Sequence, residues 1–481
     1  MEGSFMSKNV ITSAYLKRAL LFIFGKGKCG DIHFVSENDN LHLFPLYKDE
    51  DDNGFTVCFD LASGYDKSPL PSGKWLLKFD GEINTDINDC RDFSDNGGVF
   101  KIATEYNRDG IRLISTLSPT KVNLIVKCAD VLLKTIFYTA KVLFKSSNNV
   151  LFTSQSRKDI SGNEKCILDE ISRRDDLKNR LKIKFSFTDK PNFIFYIKTA
   201  WMLGQSETVI IDDYHPIIYR FNYDKKVKIA QLWHACGAFK TFGYSRLGKE
   251  GSLRFDSNAH RCYTHAFVSG EGVRKYYAEA FGIPMECVYA TGIPRCDNLK
   301  SNNKKSADKF TILFAPTFRG NGKESAYYPY DMLELDKLAD VCRTNNMQVI
   351  FKMHPFIKER LHISDECKDV LIDHSDLREV NDILQEADLV ITDYSSLIYE
   401  AALLDKPMLF YTFDLDEYIA NRDFYEPFED YVPGKIVRNF DELIKAIAES
   451  DFDKEKVEPF KQLNFSGYNF DAAQKIVDIL F

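Results

Sequence analysis

Two histidines in this chain stand where a proton could be handled. Gln231-Leu232-Trp233-His234-Ala235-Cys236-Gly237-Ala238-Phe239-Lys240 reads as an apolar strand that delivers His234 into a loop containing small residues. Phe351-Lys352-Met353-His354-Pro355 repeats the arrangement, and Pro355 denies the strand any continuation of its ladder. An imidazole titrates near pH 6.5, so either histidine could accept a hydroxyl proton close to neutrality; a structural histidine capping a turn reads the same way.

Three further strand ends carry groups suited to an anion. Ile391-Thr392-Asp393-Tyr394-Ser395-Ser396 runs into a helical stretch that carries Glu400. The free N–H groups of a helix start and the hydroxyls of Ser395 and Ser396 match a pyrophosphate, while a simple serine cap explains one of them without any ligand. Phe314-Ala315-Pro316-Thr317-Phe318-Arg319-Gly320 presents Thr317 and Arg319, whose guanidinium fork fits phosphate oxygens or is merely solvated. Gly292-Ile293-Pro294-Arg295-Cys296-Asp297 has the same two readings at Gly292 and Arg295. The acids of Asp414-Leu415-Asp416 read as solvated surface and not as a metal pair. No His/Cys cluster with zinc spacing, no Walker-type phosphate loop and no nucleophile elbow is present, so no metal is assigned.

These residues need an open α/β sheet, whose ligands bind beyond the carboxyl ends of the strands. The pattern supplies one. From about Asp31 to Pro119, short alternating runs (Leu41 to Leu46, Phe55 to Leu61, Trp75 to Phe79) predict strands, and Asp109-Gly110 between Phe100–Tyr106 and Ile111–Thr116 predicts a hairpin. After Lys121 a helical stretch runs to about Lys145, and strand and helix then alternate as in βαβ units. A second such set is read from Ala266. The expected division is an N-terminal antiparallel β domain over 1–120, a first Rossmann-like acceptor domain over 121–265, a second Rossmann-like donor domain over 266–465 and a C-terminal helix over 466–481.

With 481 residues, two or three cores are required. A net charge of −8 argues against a general nucleic-acid binder, so an anionic ligand must be held locally. The 11 cysteines are scattered and odd in number, which fits reduced thiols and a cytoplasmic protein. Ala19 to Phe24 is too short for a signal peptide, and Ala129 to Phe144, interrupted by Lys134 and Lys141, falls short of a membrane span and reads as an amphipathic helix packed in the protein.

In order and spacing, Trp233-His234, Thr317-Phe318-Arg319, His354-Pro355 and Asp393-Tyr394-Ser395-Ser396 resemble the CDP-glycerol glycerophosphotransferase family of teichoic-acid and capsule polymerases. Phe410 to Gly434, with Arg422-Asp423 and Pro433-Gly434, looks like the same family, and the resemblance spans about residues 180 to 465. It implies a pair of Rossmann-type domains of the GT-B kind, no required cofactor, a CDP-linked polyol as donor and an anionic cell-surface polymer as acceptor, with room for peripheral attachment to the cytoplasmic membrane face. By the same resemblance His234 would be the base and His354 would contact the donor phosphates or assist the leaving group. Ser395 and Ser396 would receive the pyrophosphate, Thr317 and Arg319 would add phosphate contacts, and Asp393 or Glu400 would reach ribose or brace the loop. Many family members carry Trp-His-Gly-Thr where this chain has Trp233-His234-Ala235-Cys236-Gly237. That loop resembles the branch with poly(ribitol phosphate) polymerases, which leaves the polyol open. A glycosyltransferase using a nucleotide sugar and a non-catalytic polymer binder are the alternatives.

Overall fold

A computed structural model of the chain describes residues 9–84, 93–94, 100–107, 110–118, 124–144, 148–246, 252–254, 257–301, 309–320, 322–376 and 380–481. The chain is mixed α/β, with four sheets among these residues. Two of them form the N-terminal domain and close over a core that includes Phe34, Phe59, Trp75 and Phe100. Their pairings are antiparallel except for a short parallel one between Val10–Lys17 and Glu82–Ile83. Phe100–Asn107 and Gly110–Leu117 form the predicted hairpin, paired through to Asn107 and Gly110, although Asp109 itself lies outside the described residues. The strand expected over Leu41 to Leu46 shrinks to His42–Leu43, because Pro45 has no N–H to continue the ladder.

The other two sheets are parallel and six-stranded. The first is ordered Lys182–Phe187, Asn149–Ser154, Thr208–Ile211, Lys228–Gln231, His265–Val268, Val288–Ala290. The second is ordered Leu371–Asp373, Met347–Phe351, Phe310–Phe314, Leu389–Thr392, Met408–Tyr411, Lys435–Val437. In each the strand order reverses once, beside Asn149–Ser154 and beside Phe310–Phe314, and such a reversal opens a crevice at the strands' carboxyl ends.

One expected boundary is corrected. His265–Val268 and Val288–Ala290 pair into the first sheet, through Gln231 with Ala266 and Phe267 with Tyr289, so the first lobe continues past 265 and the second sheet begins at Phe310. A strand–helix rhythm does not say which sheet receives a strand, and only the hydrogen-bonded register decides it. The C-terminal helix Ala472–Leu480 also belongs with the first lobe. It buries Ile476, Val477 and Leu480 against Val150, Ile167 and Phe267, and its first N–H groups, on Ala472 and Ala473, donate to Asp297 at 3.0 and 2.9 Å.

The lobes interlock at their facing ends. Cys236 and Phe239 from the first lobe pack into the second-lobe core with Tyr394, Tyr399 and Phe424, while Tyr425 from the second lobe packs into the first-lobe core. Gly237 has no room for a side chain, since a Cβ there would lie 2.2 Å from the Tyr399 ring. The N-terminal domain is pinned to the first lobe by Arg18, which donates to Glu279 at 2.9 and 3.0 Å, and by Arg261, which donates to the Ala62 carbonyl at 2.8 Å.

Candidate active site

His234 emerges at the carboxyl end of Lys228–Gln231, and its backbone is set by the residue before it. Trp233 has φ +51°, a left-handed conformation that costs on the order of 1 kcal/mol for a side-chain-bearing residue and persists only where the surroundings impose it. They do so from both sides: the Trp233 N–H donates to the Gln231 side-chain oxygen at 2.8 Å, and the Asn163 amide donates to the Trp233 carbonyl at 2.7 Å. The indole is held against Phe242 and Phe281, with centroids 5.0 and 5.2 Å away.

So aimed, the His234 ring is about half exposed, at 52%, with Nδ1 3.4 Å from an Asp213 carboxylate oxygen. Asp213 follows the strand Thr208–Ile211 and is itself fixed by the Ser156 hydroxyl at 2.6 Å and the Tyr214 N–H at 2.6 Å. Burial alone would raise the Asp213 pKa; contact with His234 and the two hydrogen bonds outweigh it and hold the carboxyl at about 2. An ionised carboxylate on Nδ1 orients the ring and leaves Nε2 to take a proton. Behind this pair, Asp212 is raised to about 6 by burial despite its Arg157 partner at 2.8 Å, and burial together with Asp212 pushes Glu164 well up.

On the second lobe, the loops after Phe310–Phe314 and Leu389–Thr392 meet where the strand order reverses. Asp393 ties them together: its carboxylate accepts the Thr317 N–H at 2.8 Å, the Tyr394 N–H at 2.6 Å and the Arg319 guanidinium at 2.7 Å. Arg319 is only 8% exposed and also forks onto Asp414 at 2.6 and 2.9 Å, among the rings of Tyr328, Tyr394, Phe413 and Tyr418. Its donors are therefore engaged inside the protein. This corrects the reading of Asp414 as solvated surface, since its carboxylate is the second partner of Arg319, while Asp416 is exposed. Thr317 and Ser395 are partly open and Ser396 is exposed, which makes them the accessible groups of this floor. The Ser395 hydroxyl accepts the Leu397 N–H at 3.2 Å, while Ser396, at the cap position of the helix Leu397–Leu403, makes no side-chain capping bond.

His354 sits beside this floor. Its Nδ1 accepts the Phe356 N–H at 3.2 Å, so the neutral ring carries its proton on Nε2, and the ring packs on Phe318 with centroids 4.7 Å apart. Burial lowers its pKa, and the Lys240 charge lowers it further, against Asp393. His234 and His354 share no hydrogen bond or ring contact among the described residues; what links them is the loop after His234, whose Lys240 sets part of the field at His354.

Arg295 and Glu400 pair with each other in the interior, beside Cys236 and Cys296, whose sulfurs are 3.6 Å apart. Cys236, Cys296 and Glu400 are the donor set that could hold a cation, but the Arg295 guanidinium already balances Glu400 and burial keeps the Cys236 thiol protonated. Gly292 lies under Tyr468, with φ +87° and no space for a Cβ. Arg295 is thus engaged by Glu400, and Gly292 is fixed by the Tyr468 ring. Asp213, Asn163 and Lys240 are further residues of this region to which the sequence assigns no role. Only Asp213 carries a usable signal, since it too follows a strand directly.

Residues 135–481 match the family model described as CDP-Glycerol:Poly(glycerophosphate) glycerophosphotransferase. The chain is 46% identical over 367 residues to the teichoic acid ribitol-phosphate polymerase TarK of Staphylococcus aureus, covering 73% of this chain and 72% of that protein. It is 45% identical to TarL of the same organism, also a teichoic acid ribitol-phosphate polymerase, covering 72% of this chain and 65% of TarL. The fold is similar to that of the wall teichoic acid polymerase TagF, with a TM-score of 0.56 at 17% identity over 74% of this chain and 94% of that one. The chain belongs to the CDP-glycerol:poly(glycerophosphate) glycerophosphotransferase family.

Proposed function

We propose that the chain transfers ribitol phosphate from CDP-ribitol to the terminal hydroxyl of a growing teichoic acid, releasing CMP. The observation that carries the reading is the Asp213–His234 pair, a carboxylate-oriented imidazole on one lobe, set against a donor-lobe floor of Thr317, Ser395 and Ser396 at the reversal of the second sheet. Two lobes with the reactive groups at their facing strand ends suit the GT-B arrangement. Ribitol is favoured over glycerol because the two relatives that match nearly three quarters of the chain at 45 to 46% identity are named ribitol-phosphate polymerases.

In this mechanism the acceptor hydroxyl oxygen attacks the phosphorus that bears the polyol, and His234 Nε2 takes the hydroxyl proton. The new P–O bond makes the phosphodiester as the bond to the bridging oxygen breaks and CMP departs. His354, neutral with its proton on Nε2, can donate a hydrogen bond to the departing phosphate oxygens. Asp393, Arg319 and Asp414 hold the loops that present Thr317 and Ser395, acting through structure and not by contact with substrate.

A membrane contact is favoured by the helix Leu124–Leu143. One face buries Leu133, Phe137 and Ala140 against the helix Phe193–Gln205, as the amphipathic reading expects. The other leaves Leu124, Ile125, Val131, Val142 and Leu143 64 to 77% exposed, and Phe193 and Ile194 extend the apolar surface. Among the described residues no helix is long and apolar enough to cross a membrane, so the contact we infer is interfacial, on a cytoplasmic membrane face.

The test is to incubate the purified chain, with an oligomeric acceptor, with CDP-ribitol and with CDP-glycerol separately, and to measure CMP. Faster release from CDP-ribitol is expected. A preference for CDP-glycerol would overturn the polyol assignment, and release from neither would overturn the transferase reading.

A further inference from the structure

Lys240 is a charge that the mechanism above leaves unused. It belongs to the loop that follows His234, yet it is seated on the donor lobe. It forms an isolated antiparallel bridge with Phe424, flanked by a hydrogen bond from the Thr241 N–H to the Asp423 carbonyl at 2.9 Å and another from the Tyr425 N–H to the Phe239 carbonyl at 3.2 Å. Its ammonium lies 5.3 Å from the centre of the Tyr418 ring, which stacks at 3.7 Å on Tyr394, the neighbour of Asp393.

The charges that face it are Asp393, which attracts it, and Arg422 and Arg319, which repel it. Burial, with Arg422 and Arg319 nearby, draws the Lys240 pKa down to about 8, and Asp393 is the carboxylate that opposes them. Asp393 is already held by Arg319 and two backbone N–H groups, so it is not free to serve as a counter-ion. His354 feels the same ammonium. An ammonium drawn partly out of water, whose nearest carboxylate is already shared with Arg319, is stabilised when a further anion joins it, and a diphosphate is the anion this floor is read to receive.

We infer that Lys240 binds the diphosphate of the CDP donor, so that a nucleotide seated on the donor lobe is also gripped by the loop that carries His234. Donor occupancy then adds a bond to the backbone contacts that already seat the base-bearing loop on the donor lobe, which couples donor binding to the placement of His234. This rests on the reading of the floor as a CDP-polyol site.

Calorimetric titration of the full chain with CDP and with cytidine tests it, using wild type, Lys240→Gln and Lys240→Arg at matched thermal stability. The Gln variant should lose about tenfold or more in CDP affinity while cytidine binding stays unchanged, and the Arg variant, which keeps the charge, should stay within a few-fold of wild type. If Lys240→Gln does not fold, Lys240→Met removes the same charge and is read in the same way. A charge-neutral variant that binds CDP as wild type does would overturn the role of Lys240 and leave the CDP-donor reading standing. Wild type that fails to bind CDP would overturn that reading, and this inference with it.

Discussion

At the scale of single residues, the account turns on how an ordinary imidazole is made a directed base. The left-handed backbone of Trp233, held by Gln231 and Asn163, sets the direction, and Asp213 sets the tautomer. Asp213→Asn keeps the shape but offers an amide where the carboxylate stood. Turnover should fall by about 10²-fold or more while donor KM changes little, measured as initial CMP release at saturating donor. An equal rise in KM with unchanged kcat would place Asp213 in binding instead. The strand-end rule makes His234, His354, Thr317 and the two serines legible from the sequence, because each directly follows an apolar run. Arg319 follows one too, yet its role is not legible, because its engagement depends on Asp414 and a cage of rings contributed from distant parts of the chain. Lys240 is hidden for the same reason, its ring partner being Tyr418 of the other lobe.

At the scale of elements, the alternation of apolar runs is enough to show the hairpin of Phe100–Asn107 and Gly110–Leu117, the helix that ends near Lys145 and the strand–helix rhythm that follows it. Leu371–Asp373 and Lys435–Val437 escape it: each is a three-residue edge strand, too short for a period to show. The helix Leu124–Leu143 shows how a pattern can be read correctly on one face and incompletely on the other. Its buried face packs as the sequence leads one to expect, while Ile125, Val131 and Val142 on the other face are 65 to 77% exposed. Replacing Ile125, Val131 and Val142 together with Gln should abolish co-sedimentation with anionic phospholipid vesicles while leaving CMP release from a soluble acceptor near wild type. Undiminished sedimentation of that variant would remove this helix as the docking face.

For the whole molecule, the three domains form one connected body, with the C-terminal helix returning to the first lobe and the lobes exchanging Cys236, Phe239 and Tyr425 across their boundary. The strand–helix rhythm conveys the number and type of the lobes but not the point where one sheet ends, because His265–Val268 could join either sheet until its register with Ala230 and Gln231 is formed. Stability should carry the mark of the first lobe's buried imidazoles. Burial holds His215 at about 4, against about 6.5 in the unfolded chain. Below about pH 6.5 the unfolded state therefore binds a proton that the folded state refuses, and this site loses stability as pH falls toward 4, by roughly 1.4 kcal/mol per unit. Buried Asp60, raised to about 7, works in the opposite sense, losing stability as pH rises from about 4 to 7, so a variant comparison is needed to isolate the histidine. His215→Asn, which forfeits the bond between Nε2 and the Thr153 hydroxyl at 3.0 Å, should be less stable than wild type at pH 7.5. The gap should narrow by about 2 kcal/mol at pH 5, read by chemical denaturation; a gap independent of pH would contradict the buried neutral ring.

The central claim is that His234 on one lobe deprotonates an acceptor whose target phosphorus is held by the other. The most direct measurement is initial-rate CMP release from CDP-ribitol by wild type and His234→Ala, with CDP affinity measured on the same samples. The account predicts loss of release by about 10²-fold or more with donor affinity retained within a few-fold. His234→Ala turning over at the wild-type rate would contradict it.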